Sequence, residues 1–152
     1  MRKYFAILAA VIAFAVAVDT NTAQARDGAY RSVAIDTSKI AVSGHRHLAS
    51  ALKPMLAAEL SKALGPRLGR SGGVLTVRIT KIDLGIYGGQ DAGQGQIDDQ
   101  LWGVVIVPGR APIPIRVVLP PDTGGAWYAP NADERRVHRL IEAFAHWAAR
   151  EA

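Results

Sequence analysis

Residues 75–80 alternate strictly between apolar and polar side chains, and this pattern constrains the fold more than any other feature of the sequence. Leu75, Val77 and Ile79 fall on one side of an extended strand, and polar side chains fall on the other. A strand of this kind buries one side only, so the sheet to which it belongs needs a covering layer. The alternation therefore predicts a sheet with one buried face.

Other strand signals surround this segment. The apolar phase slips by one residue near Thr80 and Lys81, which predicts a β-bulge. Pro114 cannot donate to a ladder, so its strand is expected at an edge of the sheet. Residues 40–42 either extend the first strand or lead into the following helix. Strand character is found in residues 31–36, 101–107 and 113–119.

Two segments have the spacing of amphipathic helices. The first starts at Leu48 and stops at Gly65-Pro66, and Pro54 predicts either a kink or a regular helix that begins near Lys53. The second begins after a predicted capping box of Asn131 and Glu134. Its apolar stripe comprises Val137, Leu140, Ile141, Phe144, Ala145 and Ala148.

These elements predict one α+β domain over residues 26–152. The expected order is β-α-β-β-β-α, with two helices packed on one face of a four-stranded mixed sheet. If the first two strands are parallel neighbours, their crossover is expected to be right-handed.

The first 25 residues have the three parts of a secretory signal peptide. Arg2 and Lys3 form a basic start, residues 4–18 are apolar, and Ala23-Gln24-Ala25 supplies the small-residue cleavage pattern. The apolar run is shorter than the ~20 residues that span a bilayer as a helix. We therefore expect cleavage after Ala25, a periplasmic or secreted product, and no stable membrane insertion after cleavage.

Composition excludes several kinds of site. The chain has no cysteine, which excludes disulfides, thiolate metal sites, a cysteine nucleophile and a lipid anchor on cysteine. Its net charge is +5, but the basic residues are scattered rather than arranged in a stripe with interleaved aromatics. We therefore expect no nucleic-acid partner. The motifs indicate no cofactor and no catalytic set.

Three polar residues follow one ridge of the last predicted helix. His138, Glu142 and His146 are spaced at i, i+4 and i+8, and imidazole and carboxylate groups are ligands for zinc. Eight residues span about 12 Å of helix, which is too far for both histidines to reach one ion comfortably. A metal-dependent hydrolase is therefore only the third hypothesis for function, and a solvated helix face is the simpler interpretation.

An aromatic loop before the last helix is the candidate interaction surface. Trp127 and Tyr128 precede Arg135, Arg136 and Arg139, and exposed aromatics beside arginine are typical of recognition surfaces. The alternative is that Trp127 packs on the core next to the helix start. The first hypothesis is a non-enzymatic protein that binds another envelope protein, and the second is a small-ligand or anion binder that uses these arginines.

Three segments carry a resemblance to known proteins. The strand LTVRITKIDL, the loop GGAWY and the helix RRxxRLIxxFAxW, together with the signal peptide, resemble a group of small exported bacterial proteins without known activity. The β-α-β-β-α order is similar to that of auxiliary periplasmic domains of envelope assemblies. Many relatives of the second type carry a lipid-anchoring cysteine, which this chain lacks. The resemblance implies an exported protein and transfers no catalytic residue.

Overall fold

The computed structural model describes residues 28–42, 46–85, 98–126 and 128–152. The predicted signal peptide, residues 1–25, lies outside this part of the chain. None of the helices in the described ranges is both long enough and apolar enough to cross a membrane. The elements are β1 (Tyr30–Asp36), α1 (Ser38–Val42), α2 (Arg46–Leu64), β2 (Gly73–Asp83), β3 (Asp99–Ile106), β4 (Ile113–Leu119) and α3 (Ala132–Glu151).

The four strands form one mixed sheet in the order β1-β2-β3-β4. β1 pairs with β2 in parallel, and the other two pairings are antiparallel. The prediction of an α+β fold with a four-stranded mixed sheet is confirmed. The bulge is confirmed as well, because the β2–β3 register shifts between Ile79 and Lys81. Pro114 lies in β4 at one edge, as a residue without an amide hydrogen requires.

The helical part of the chain differs from the prediction in two respects. Residues 38–42 form the short helix α1, which includes residues 40–42, left undecided by the sequence between a strand extension and a helix lead-in. α2 begins at Arg46 and continues through Pro54, so the predicted start of regular helix near Lys53 is wrong. Proline inside a helix removes one backbone hydrogen bond, and the length of α2 sustains the helix despite that loss. α2 ends at Leu64, and this confirms the end that Gly65-Pro66 predicts.

The core is one cluster of buried side chains from the sheet and from the two long helices. Burial alternates along β2 and β3, so that Leu75, Val77 and Ile79 are buried and the intervening side chains are more accessible. α2 and α3 contact each other, α2 contacts β1, and α3 contacts β3 and β4. The largest fully buried side chains on the helices are Leu52, Leu56, Leu60, Leu64, Leu140, Ile141 and Phe144.

The start of α3 does not use the predicted capping box. Asn131 has a left-handed backbone with φ of 57°, and its side chain makes no capping hydrogen bond. Capping through the side chain requires extended backbone at this position, which φ of 57° does not provide. The prediction of an Asn131–Glu134 capping box is therefore wrong.

The last turn of α3 is fastened to the rest of the domain. The Tyr30 hydroxyl donates to the carbonyl of Ala152 over 2.6 Å, and Arg67 Nη1 donates to the carbonyl of Ala149 over 2.6 Å. The Arg67 guanidinium also lies 5.5 Å from the centre of the Tyr30 ring. These two side chains satisfy carbonyls that a helix end would otherwise leave unpaired.

Candidate functional site

Arg135 holds the loop between β4 and α3. Its Nε donates to the carbonyl of Gly124 over 2.7 Å and its Nη2 to that of Ala126 over 3.2 Å, while Nη1 donates to the carbonyl of Pro130. One guanidinium thus engages three carbonyl oxygens of a single loop, as its fork of donors permits. Arg135 is half-buried, and its hydrogen bonds are internal.

Arg136 lies inside the domain. Its Nε donates to Asp99 Oδ2 over 2.9 Å, and Nη2 donates to Asp99 Oδ1 and to the carbonyl of Gly85. Asp99 in turn accepts from the amide of Gly85, and Arg136 reaches Asp133 over 3.0 Å. The hydrogen bond with Asp99 raises the pKa of Arg136 above its usual value, against the opposing effect of burial. This bidentate pair joins β3, the second residue after β2 and the N-terminal part of α3.

The remaining members of the predicted interaction surface lie in different settings. Arg139 is exposed, and its Nη1 lies 2.9 Å from Glu142 Oε2. Tyr128 is 78% exposed, which makes it the most accessible of the large apolar residues in the described ranges. Trp127 lies outside the described residues, so its predicted role stays a prediction. Of the three arginines, only Arg139 has an exposed side chain, since Arg135 is half-buried against the loop and Arg136 is buried.

Two shallow concavities lie along α3. One, of about 610 Å³, is lined partly by Leu119, His146 and Trp147, and the other, of about 780 Å³, partly by Arg135 and His138. Arg139 and Glu142 line both. Their exposed charges are paired with each other, and Lys62 lies 3.6 Å from Glu59 on the opposite wall. The concavities therefore present largely neutralised polar walls.

The ridge of His138, Glu142 and His146 is divided between these concavities. His138 lines only the larger and His146 only the smaller, in keeping with the distance that the helix places between them. In the described ranges, no three histidine, aspartate or glutamate side chains are grouped as a metal site would require. The arrangement offers no support for the metal-dependent hydrolase.

A second candidate surface lies on the accessible side of the sheet. Lys81 of β2 pairs in register with Trp102 of β3, which pairs with Arg116 of β4. Lys81 Nζ lies 4.6 Å from the centre of the Trp102 ring, and the Arg116 guanidinium carbon lies 5.4 Å from it. Contacts of this kind between cations and tryptophan are favourable by ~0.5–1 kcal/mol at exposed positions. We call Lys81, Trp102 and Arg116 the tryptophan row.

The tryptophan row could not be predicted from the sequence, and the reason is physical. Apolar side chains occupy both sides of residues 101–107, and such a run is typical of a strand covered on both faces. Its outward side carries Trp102 and Val104, which only the register with the flanking strands identifies as accessible. The sequence does indicate that Lys81 and Arg116 lie on the polar sides of their strands, which are the two neighbours of β3.

Charged pairs flank the tryptophan row. Arg78 Nε donates to Asp36 Oδ2 over 2.7 Å, and Lys81 Nζ lies 3.1 Å from Asp83 Oδ2. Hydrogen bonds from Ser38, reinforced by Arg78, lower the pKa of Asp36 to about 2. Arg116 differs from these residues, because it donates through Nε and Nη2 to the neutral side-chain oxygen of Gln100.

Comparison of the chain with protein families, with curated proteins and with solved structures finds no match.

Proposed function

We propose that this chain is an exported, non-enzymatic binding protein that recognises another component of the cell envelope. One observation supports this most directly: the accessible side of the sheet joins cations, a tryptophan and aliphatic side chains in one continuous area. Trp102 lies between Lys81 and Arg116, and Val118 on the same side is 42% exposed. A surface that combines aromatic, aliphatic and arginine side chains is typical of protein recognition.

We infer further that α2 and α3 cover the same face of the sheet and leave the other face available. The support is the alternation of burial along β2 and β3, together with the contacts of α2 with β1 and of α3 with β3 and β4. Two helices on one face and an open opposite face agree with the predicted β-α-β-β-β-α arrangement, apart from the additional short helix α1. This arrangement would present the tryptophan row to a partner.

The small-ligand or anion binder is the weaker proposal. It relies on Arg135, Arg136 and Arg139, and the first two donate their hydrogen bonds to loop carbonyls and to the buried Asp99. An anion would have to displace those internal bonds, and breaking a buried charged pair is costly. Arg139 and Tyr128 are both exposed and would be the members of this surface that a macromolecular partner contacts.

Export is part of the proposal and has its own test. Its support is the order of basic, apolar and small residues in the first 25 positions. N-terminal sequencing of the protein recovered from an expressing bacterial cell should begin at or within two residues of Arg26. A product that retains residues 4–18 would contradict a soluble exported protein.

Binding is tested by cross-linking in cells that express the tagged full chain. The sheet variant Val118→Asp should abolish a specific cross-linked product, because it places a charge in the aliphatic part of the surface. The loop variant Tyr128→Ala with Arg139→Ala should retain the product, and both variants should keep the melting temperature near that of the parent because all three side chains are exposed. If neither variant reduces the product, recognition through these surfaces is refuted.

A further inference from the structure

We propose that the tryptophan row binds an acidic, extended segment of a partner protein. This inference rests on the proposed function and names the chemistry of the partner. Three observations support it: the charge of the accessible sheet face, the two cations that lie over the Trp102 ring, and the aliphatic side chains beside them.

The charges on this face leave a positive excess. Asp36 pairs with Arg78, and Asp83 pairs with Lys81. Among the described residues Arg116 has no acidic partner, since its two donors meet the neutral oxygen of Gln100. A carboxylate from a partner would convert this neutral contact into a stronger, charge-assisted hydrogen bond. Cleavage after Ala25 would leave a net charge of +4, which would favour the approach of an acidic segment.

The Trp102 ring is not available for stacking with a sugar or a nucleobase. Lys81 and Arg116 both lie over the ring, at 4.6 Å and 5.4 Å from its centre. A stacking ligand would displace one of the cations and lose that contact. The ring instead holds the two charged groups in defined positions, which lowers the entropy that they lose when a carboxylate binds.

The spacing of the row sets the length of the segment that it accommodates. Lys81 and Arg116 stand on strands separated by β3, so their backbones are about 10 Å apart. Two carboxylates of one extended segment can be separated by about 10 Å. The half-buried Val104 and the exposed Val118 lie on the same side, one on each flank of the row, and offer contacts to aliphatic side chains of the segment.

The test uses a ten-residue peptide of alternating glutamate and valine, with a glutamine–valine peptide as its neutral counterpart. The glutamate peptide should shift the backbone amide resonances of β2, β3 and β4, and its affinity should fall as salt is raised. The glutamine peptide should not bind. Shifts confined to α3, or equal affinity for both peptides, would refute the inference.

Matched variants locate the interaction. Lys81→Gln with Arg116→Gln should weaken binding of the glutamate peptide roughly tenfold or more, because two charge-assisted contacts are lost. Arg150→Gln should change it less than about twofold, although Arg150 also lies over a tryptophan, 4.7 Å from the centre of the Trp147 ring. Equal weakening in the two cases would indicate non-specific attraction and would overturn the proposal.

Two further outcomes separate this inference from the proposed function. A heparin oligosaccharide that binds the tryptophan row while the glutamate peptide does not would replace the acidic protein segment by an anionic glycan. If Val118→Asp abolishes the cross-linked product in cells but Lys81→Gln with Arg116→Gln preserves it, the face binds a partner without the proposed acidic chemistry. The proposed function would then stand, and the present inference would fail.

Discussion

The ring of Phe144 lies directly against Gly103, where it brings α3 close to the sheet. A β-carbon at Gly103 would lie 2.6 Å from Phe144 Cζ and 2.8 Å from the carbonyl oxygen of Arg78. The Arg78 carbonyl belongs to the backbone of β2 and cannot move aside easily, and the Phe144 ring is fully buried, so neither neighbour leaves room for a β-carbon. Glycine at position 103 is therefore a packing requirement rather than a turn residue.

Gly103→Ala is expected to lower the free energy of unfolding by roughly 1–3 kcal/mol, as insertions into well-packed cores do. This cost should exceed the ~0.4–1 kcal/mol that alanine gains by restricting the unfolded chain. Urea denaturation measures the change. In the Phe144→Leu background the same substitution should cost less, because the smaller side chain relieves the clash. If the free energy of unfolding of Gly103→Ala stays within about 0.5 kcal/mol of the parent value, the close approach is contradicted.

The phase of α3 is tested by two residues on opposite sides of the helix. Phe144 is fully buried and His146 is exposed. Phe144→Ala should therefore destabilise the domain by roughly 3–5 kcal/mol, whereas His146→Ala should change stability by less than about 0.5 kcal/mol. Thermal and urea unfolding of both variants provide the measurement. A large loss of stability in His146→Ala would contradict the exposed position of this side chain.

The buried pair of Arg136 and Asp99 predicts an asymmetric response. Arg136→Met leaves the Asp99 carboxylate buried without its main partner and should cost about 3–5 kcal/mol. Arg139→Met breaks only the exposed pair with Glu142 and should cost less than about 1 kcal/mol. Adding Asp99→Leu to Arg136→Met should restore part of the loss, because the uncompensated charge is removed. Equal costs for the two arginine variants would contradict the buried position of Arg136.

Asp36 predicts a pH effect at the acidic end of the range. Its folded pKa of about 2 lies below the ordinary value of 3.8, so the ionised carboxylate stabilises the folded state. The stabilisation by the ionised Asp36 carboxylate is complete above about pH 4 and is lost as the pH falls towards 2. A carbon-13 NMR titration of the Asp36 carboxyl group should give a midpoint near 2.

The same titration identifies the cause of the shift. Ser38→Ala removes the side-chain donor and should move the Asp36 midpoint upward, and Arg78→Gln should move it in the same direction. Arg150→Gln, on α3, should leave it unchanged. A parent midpoint near 3.8 would show that these hydrogen bonds do not form in solution.

Local periodicity was enough to predict the strands and the buried stripe of α3. Leu75, Val77 and Ile79 are buried as their alternation predicts, and so are Leu140 and Phe144 at helical spacing. These assignments depend only on neighbouring residues, and hydrophobic periodicity records that information directly.

Contacts between distant segments were beyond the reach of such patterns. Arg136 follows Arg135 in the sequence, yet it pairs with Asp99, 37 positions away, so its burial depends on the folded arrangement of β3 and α3. The tryptophan row likewise depends on the register of three strands. Asn131 has the residue type of a helix cap, but its backbone conformation removes the side chain from that role.

Arg135 predicts how the loop before α3 is held. Because its guanidinium donates to the carbonyls of Gly124, Ala126 and Pro130, Arg135→Ala should release this loop while leaving the core intact. Hydrogen exchange should accelerate at the amides of Gly125 and Ala129, which bond within the loop to Asp122 and Ala126.

Two matched variants complete this test. Arg135→Lys should restore little protection, because an ammonium group lacks the planar fork that reaches three carbonyls. Arg139→Ala, one turn further along the helix, should leave the exchange of both amides unchanged, since its partner is Glu142 on the same helix. If Arg135→Ala leaves exchange at Gly125 and Ala129 as slow as in the parent, the loop is held by its own backbone. Arg135 would then be available to a ligand, which would restore the anion-binding hypothesis.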